Sequence, residues 1–249
     1  MNFMFLIALL KKDNSVVDIG WGMGFVVLTA FLFNSTAAFN ADSRKIAILI
    51  MVTLWGLRLA SYIFVRNFGK GEDYRYRQWR TDWGKNVIWR SYLQVFMLQG
   101  AILFLVSLPI SMVMLNSQIV GCLDNSNELG FLNYSGIALF AVGLIIESHA
   151  DWHLYWFKLK PESKGRIMKY GFWSITRHPN YFGEALLWWG IFVFAIPSGY
   201  WYISVISPVL ITFLLVRVSG VALLEKKYAG NPEYQEYIKN TAAFIPWVK

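Results

Sequence analysis

Leu93–Met114 reads LQVFMLQGAILFLVSLPISMVM. It carries no charge and is long enough, as a helix, to cross the hydrocarbon of a bilayer. Runs of the same character recur at Val16–Phe33, Ile46–Phe64, Phe131–Ala150 and Trp201–Leu224, with a shorter one at Phe182–Ile196. The composition agrees, because 56% of the 249 residues are hydrophobic and only 15% are charged. A water-soluble domain of this size uses more charge. Met1–Leu10 is too short to cross alone and lacks the basic start and cleavage site of a signal peptide, so it reads as a partial or interfacial helix. The expected fold is an all-α, polytopic membrane bundle of six helices, or seven counting the first. No repeat, low-complexity tract or linker divides it, so residues 1–249 read as a single membrane domain.

The cations orient the chain. Lys11 and Lys12, the stretch 65–92, the stretch 151–180 and the tail hold all of the 23 Lys and Arg except Arg44, Lys45, Arg58 and Arg217. Such a bias marks a cytoplasmic face. The net charge of +8 then follows from topology, and no nucleic-acid partner is needed to explain it. On this reading Asn116–Gly130, with Cys122, faces away from the cytoplasm.

Several chemistries are excluded. Cys122 is the single cysteine, which removes internal disulfides, Fe–S clusters and zinc ribbons. His149 and His153 lie one helical turn apart, but three histidines in all are too few for a membrane di-iron centre, and no metal is expected. No P-loop, G-x-S-x-G elbow or Rossmann glycine motif is present.

Polar residues inside apolar runs are costly unless they face the protein interior. Asp18, Arg58, Glu147, Arg217 and Glu225 are so placed, and a buried ion pair such as Arg58 with Asp18 would account for some of them. Phe68–Trp89 interleaves Tyr74, Tyr76, Trp79 and Trp83 with Arg75, Arg77 and Arg80. That pattern suits interfacial anchoring and phosphate binding equally. The densest polar segment is Ser174-Ile-Thr-Arg177-His178-Pro179-Asn180-Tyr181-Phe-Gly-Glu184. Here a basic loop enters a span, Pro179 suits a first helical turn, and Asn180 and Glu184 lie one turn apart on one face.

From Glu147 to Pro246 the chain resembles the C-terminal region of the steroid 5-alpha-reductase superfamily, which includes the sterol C=C reductases; the nearest likeness is to a bacterial branch of unknown function. The resemblance rests on Glu147-Ser-His149-Ala-Asp151, Lys164-Gly165-Arg166, Gly171-Phe172-Trp173, the segment Arg177–Glu184, and Glu225, Tyr237 and Phe244-Ile245-Pro246. Leu54–Leu59 and Glu72–Tyr76 add weaker support. The Arg-His-Pro-x-Tyr core also occurs in isoprenylcysteine carboxyl methyltransferases, which use S-adenosylmethionine.

The resemblance implies NADPH bound from the cytoplasmic side and a lipophilic substrate entering from the bilayer, within a membrane that is expected to be the bacterial inner membrane. Positions matching Glu147, Asp151, Arg166, Asn180, Glu184 and Tyr237 contact or support the cofactor in the reductases. Arg177, His178, Tyr181, Arg217 and Glu225 complete the expected cofactor set, with the cations suited to phosphates. The implied reaction is hydride transfer to an activated C=C bond. One departure is Trp55, which stands where the steroid enzymes carry a tyrosine that polarises the substrate ketone, and indole is no comparable acid. Asp18 and Tyr62 are the nearest candidates for that role. An S-adenosylmethionine-dependent methyltransferase and a non-catalytic lipid-binding protein are the alternatives.

Overall fold

The computed structural model describes residues 1–40, 42–115 and 129–248. Asn116–Gly130 therefore lies outside the described residues except for Leu129 and Gly130, and Cys122 lies outside them. The chain is helical, and contacts gather it into two compact units, Met1–Val120 and Gly121–Lys249. Among the described residues, six helices are long and apolar enough to cross a membrane.

The first unit contains α1 (Asn2–Lys11), α2 (Val16–Asn40), α3 (Ser43–Asn67), α4 (Tyr74–Trp83), α5 (Val87–Arg90), α6 (Leu98–Val106) and α7 (Leu108–Leu115). Helix α1 is too short to span, as its length indicates, and it packs through Ala8 onto Val16, Val17, Tyr76, Val95 and Phe96. Helices α2 and α3 meet where Gly22 faces Gly56; a Cβ on Gly22 would lie 2.6 Å from the Gly56 carbonyl oxygen. Trp55 is fully buried beside this contact, edge-on to Phe25 at 5.5 Å.

The third span differs from the sequence reading. It starts at Tyr74 rather than Leu93 and stops at Val106. Asp73 caps α4 by accepting from the Arg75 N–H at 3.0 Å, so a helix forms where the charges hide one. At the other end Pro109 cannot donate to the turn before it, and a separate helix begins at Leu108. The early start also corrects the expected pairing of Asp18 with Arg58. Asp18 instead accepts from Tyr76 Oη at 2.6 Å and from Arg75 Nη2 at 3.1 Å. Glu72 is gripped by Arg80 Nε and Nη2 at 2.9 and 2.8 Å and accepts from the Asn14 N–H at 2.8 Å. With these arginines committed to protein carboxylates, and Trp79 and Trp89 left exposed, the segment has the character of an interfacial anchor.

The second unit contains α8 (Phe131–Leu159), α9 (Pro179–Ala195), α10 (Trp201–Ser204), α11 (Ile206–Phe213), α12 (Val221–Tyr228) and α13 (Pro232–Asn240). Its core is the pairing of α8 with α9. Four glycines remove the side chains from the contact: Gly136 faces Gly190, and Gly143 faces Gly183. A Cβ on Gly183 would stand 2.6 Å from the Glu147 nitrogen and 2.7 Å from the Gly143 oxygen; one on Gly190 would stand 2.5 Å from the Phe140 nitrogen. Small residues let helix backbones approach where lipid offers no hydrophobic drive for association. Asn133 pins one end of the pair, accepting from the Gly130 N–H at 2.9 Å and donating to the Phe194 carbonyl at 2.8 Å.

Gly183→Ala and Gly190→Ala should each lower the stability of the purified protein by about 1–3 kcal/mol, because the neighbouring atoms are backbone and cannot rotate away. Gly230→Ala, with nothing within 4 Å of its Cβ position, serves as the control. Thermal melts in detergent read the effect; equal melting temperatures for all three variants would remove the glycine contact as a stability determinant.

Candidate functional site

The α8–α9 contact fixes what lies at its other end. After Leu159 the chain makes a short turn at Pro161–Ser163, a second turn at Gly165 and a third at Gly171, both glycines at positive φ. At Gly171 a Cβ would come within 3.2 Å of His153 Nδ1, so the loop runs close over α8. Trp173 donates its indole N–H to the Ala150 carbonyl at 3.2 Å and ties the loop down. Pro179 then opens α9 at its first turn.

The C-terminal tail closes over this loop. Thr176 and Ala242 form an isolated parallel bridge, the Arg177 N–H donates to the Ala242 carbonyl at 2.8 Å, and Thr176 Oγ1 donates to the Phe244 carbonyl at 2.9 Å. The Tyr237 hydroxyl donates to the Trp173 carbonyl. Burial and the neighbouring Tyr234 push the Tyr237 phenol up, so it remains a donor.

Arg177 is the centre of this closure. Its guanidinium is buried and bonds Glu225 through Nε at 3.0 Å and through Nη2. Nη1 donates to the Ile238 and Thr241 carbonyls at the end of α13. A helix C-terminus leaves carbonyls without partners, and an arginine satisfies them while opposing the negative end of the dipole. Arg177 thus has its donors committed to protein. This differs from the phosphate contact expected of it, and the reason is the return of the tail, which the sequence alone does not reveal.

Beside Arg177 lies a cavity of about 280 Å³. Its apolar wall includes Leu154, Phe157 and Leu224, its aromatic wall Trp173, Tyr228, Tyr234 and Tyr237, and its rim Lys158, Lys164 and Arg166. Lys164 and Arg166 are exposed and form no ion pair with a described residue. A second hollow of about 480 Å³ adjoins it and shares Phe157, Ser163, Arg166 and Ile167. His178 reaches the first cavity from the start of α9 and stacks on Tyr181 at 5.6 Å, 10° from parallel. Its Nε2 is 3.8 Å from Glu225 Oε1, too long for a hydrogen bond. Burial holds the imidazole below its ordinary pKa against the pull of the Glu225 carboxylate, so it is neutral at pH 7.

The expected site residues therefore fall into two neighbourhoods of the same unit. Arg166, Arg177, His178 and Tyr237 line the cavity, with Glu225 behind Arg177. Glu147, Asp151, Asn180 and Glu184 lie along the two paired helices, where Asn180 Nδ2 donates to Asp151 Oδ1 at 3.2 Å. Glu147 and Asp151 are buried. Asn180 Oδ1 is buried too and has no hydrogen-bond partner among the described residues. Tyr181 joins the neighbourhoods through its stack on His178. Arg217 lines neither hollow and is exposed on a widened turn, Leu214–Val218, rather than facing inward. Asp18 and Tyr62 belong to the first unit; the Arg66 guanidinium lies 5.6 Å from the Tyr62 ring centre. Sequence reasoning missed Ser163, Tyr228 and Tyr234. Tyr234 had a signal, since it precedes Tyr237 by three residues on a helix announced by Asn231-Pro232.

Arg177→Ala should destabilise the second unit by about 3–5 kcal/mol, because Glu225 and two helix-end carbonyls lose their partner together. Limited proteolysis should then cut near residues 241–248 faster than in the wild type. A tail that stays equally resistant in the variant would show that the clamp does not hold it.

The family model described as "Protein of unknown function (DUF1295)" matches residues 4–241 of the chain. The uncharacterized protein C594.04c of Schizosaccharomyces pombe is 26% identical over 274 residues, an alignment covering 98% of this chain and 76% of that protein. No solved structure matches the chain.

Proposed function

The chain belongs to the DUF1295 family, and from its site we propose that it is a membrane-embedded, NADPH-dependent reductase of an activated C=C bond in a lipophilic substrate. The observation that carries the reading is the Asp151–Asn180 pair, with a buried amide oxygen on Asn180 that has no partner among the described residues, two residues from His178, which lines a cavity that also takes in exposed cations. A buried polar atom without a partner is expensive, and beside a carboxylate at the end of two paired helices it suits a ligand group. The resemblance to the steroid 5-alpha-reductase superfamily supports the same assignment and supplies the reaction class.

The donor set fits a phosphorylated dinucleotide. Lys164 and Arg166 at the rim suit the phosphates, Arg166 borders both hollows, and together these hollows take an elongated ligand. Asn180, Asp151, Glu147 and Glu184 line neither hollow but lie on the paired helices that lead to His178, where they suit hydroxyl and amide groups of a ligand reaching beyond the cavity. Arg177 and Glu225 serve as the clamp that holds the walls, rather than as ligand contacts. When bound, the cofactor would supply a hydride. The chain's part is to hold it at the end of paired helices that reach the bilayer, where a lipophilic partner arrives. S-adenosylmethionine carries no phosphate and leaves the basic rim unexplained, which is why the methyltransferase reading ranks second.

NADPH at a hundredfold excess over its dissociation constant should raise stability by about 2.7 kcal/mol in a detergent melt, and NADH by less. Asn180→Ala should fold and insert normally yet bind NADPH roughly 5–150-fold more weakly. A melting curve that S-adenosylmethionine shifts and NADPH does not would replace the reductase with the methyltransferase.

A further inference from the structure

Several buried polar groups of the second unit have no hydrogen-bond partner among the described residues, and two of them, on His178 (3% exposed) and Tyr234 (4% exposed), line the cavity of about 280 Å³. Neither ring nitrogen of His178 and not the Tyr234 hydroxyl has a hydrogen-bond partner among the described residues. Their neighbours explain why they are not simply satisfied by the fold. Arg177, the obvious donor between them, is committed to Glu225 and the α13 carbonyls. The two groups are uncharged, and each can donate and accept one hydrogen bond. The space between them is walled by flat rings, with Tyr228 and Tyr237 on either side of Tyr234 at 5.3 and 6.0 Å. Lys164 and Arg166, both exposed, line the same cavity, and the Arg177–Glu225 ion pair beside His178 has its charges matched to each other.

We infer that His178 and Tyr234 form the binding end of this cavity for an uncharged planar nitrogen heterocycle, which they hold by hydrogen bonds while the phosphate attached to it lies at the Lys164–Arg166 rim. A flat, neutral ring carrying an amine or amide offers both a donor and an acceptor to the pair and π-faces to the tyrosines. This inference rests on the cofactor reading above, because NADPH carries such a ring at each end, adenine and dihydronicotinamide. It goes beyond that reading in naming the two residues and the part of the ligand that they receive.

The test uses the full-length protein in nanodiscs and isothermal titration with NADPH, adenosine 2′,5′-bisphosphate and reduced nicotinamide mononucleotide. Tyr234→Phe removes one hydroxyl, and His178→Phe keeps the ring stacked on Tyr181 while removing both nitrogens. Each variant should bind NADPH about tenfold more weakly, the factor for one lost hydrogen bond. Each should also weaken one half-molecule alone, which identifies the ring in the cavity. Without ligand, Tyr234→Phe should melt at the wild-type temperature or above it, since an unsatisfied buried hydroxyl has gone. Wild-type NADPH affinity in Tyr234→Phe would overturn the inference and leave the cofactor reading standing. Failure of the wild type to bind any of the three ligands would overturn both.

Discussion

The second unit depends on the backbone contact between α8 and α9. At Gly136–Gly190 and Gly143–Gly183 no side chain separates the helices, and a single methyl group would overlap main-chain atoms. This closeness has a consequence one turn further on. Glu147 and Asp151 follow Gly143 on α8, and Asn180 and Glu184 flank Gly183 on α9. Helices held at ordinary separation would keep these polar groups apart, or surround them with apolar side chains. Held this close, Asn180 reaches Asp151, and the polar ends of both helices face the same loops.

The loops then need their own fixation, and charge supplies it. Arg177 is the link between the start of α9, Glu225 on α12, the end of α13 and the returning tail. A buried guanidinium is tolerable because almost every donor it has meets an acceptor. The arrangement divides the cations by task. Arg177 is internal and neutralised by Glu225, whereas Lys164 and Arg166 remain exposed at the cavity they share with it.

Much of this is legible in the sequence because the governing signals are local. The apolar runs anticipate all six spanning helices, since the backbone in lipid has few alternatives to helix. Asn180 and Glu184 stand out as polar residues carried into a span, whereas the pairing of Asn180 with Asp151 is visible only in the structure. The errors arise where the partner is distant in sequence. Arg58 is only one example of a partner for Asp18, and Arg75 and Tyr76, which bond it, lie in a segment whose charges mask its helix. The contacts of Arg177 with the tail from Thr241 to Phe244 are likewise absent from the sequence reading, since no periodicity signals such a return. Arg217 shows the limit of the rule that intramembrane charge faces inward, because its widened turn ends the helix and leaves the side chain exposed.

The central claim is that the loops at the end of the α8–α9 pair hold a phosphorylated dinucleotide. Hydrogen exchange on the protein in nanodiscs, with and without saturating NADPH, tests it most directly, since amides that open locally are slowed when a ligand holds them closed. The account predicts slower exchange at residues 163–168, 173–178 and 231–242, with little change in α2 and α3. Protection confined to the first unit, or no protection under conditions where NADPH is bound, would contradict it.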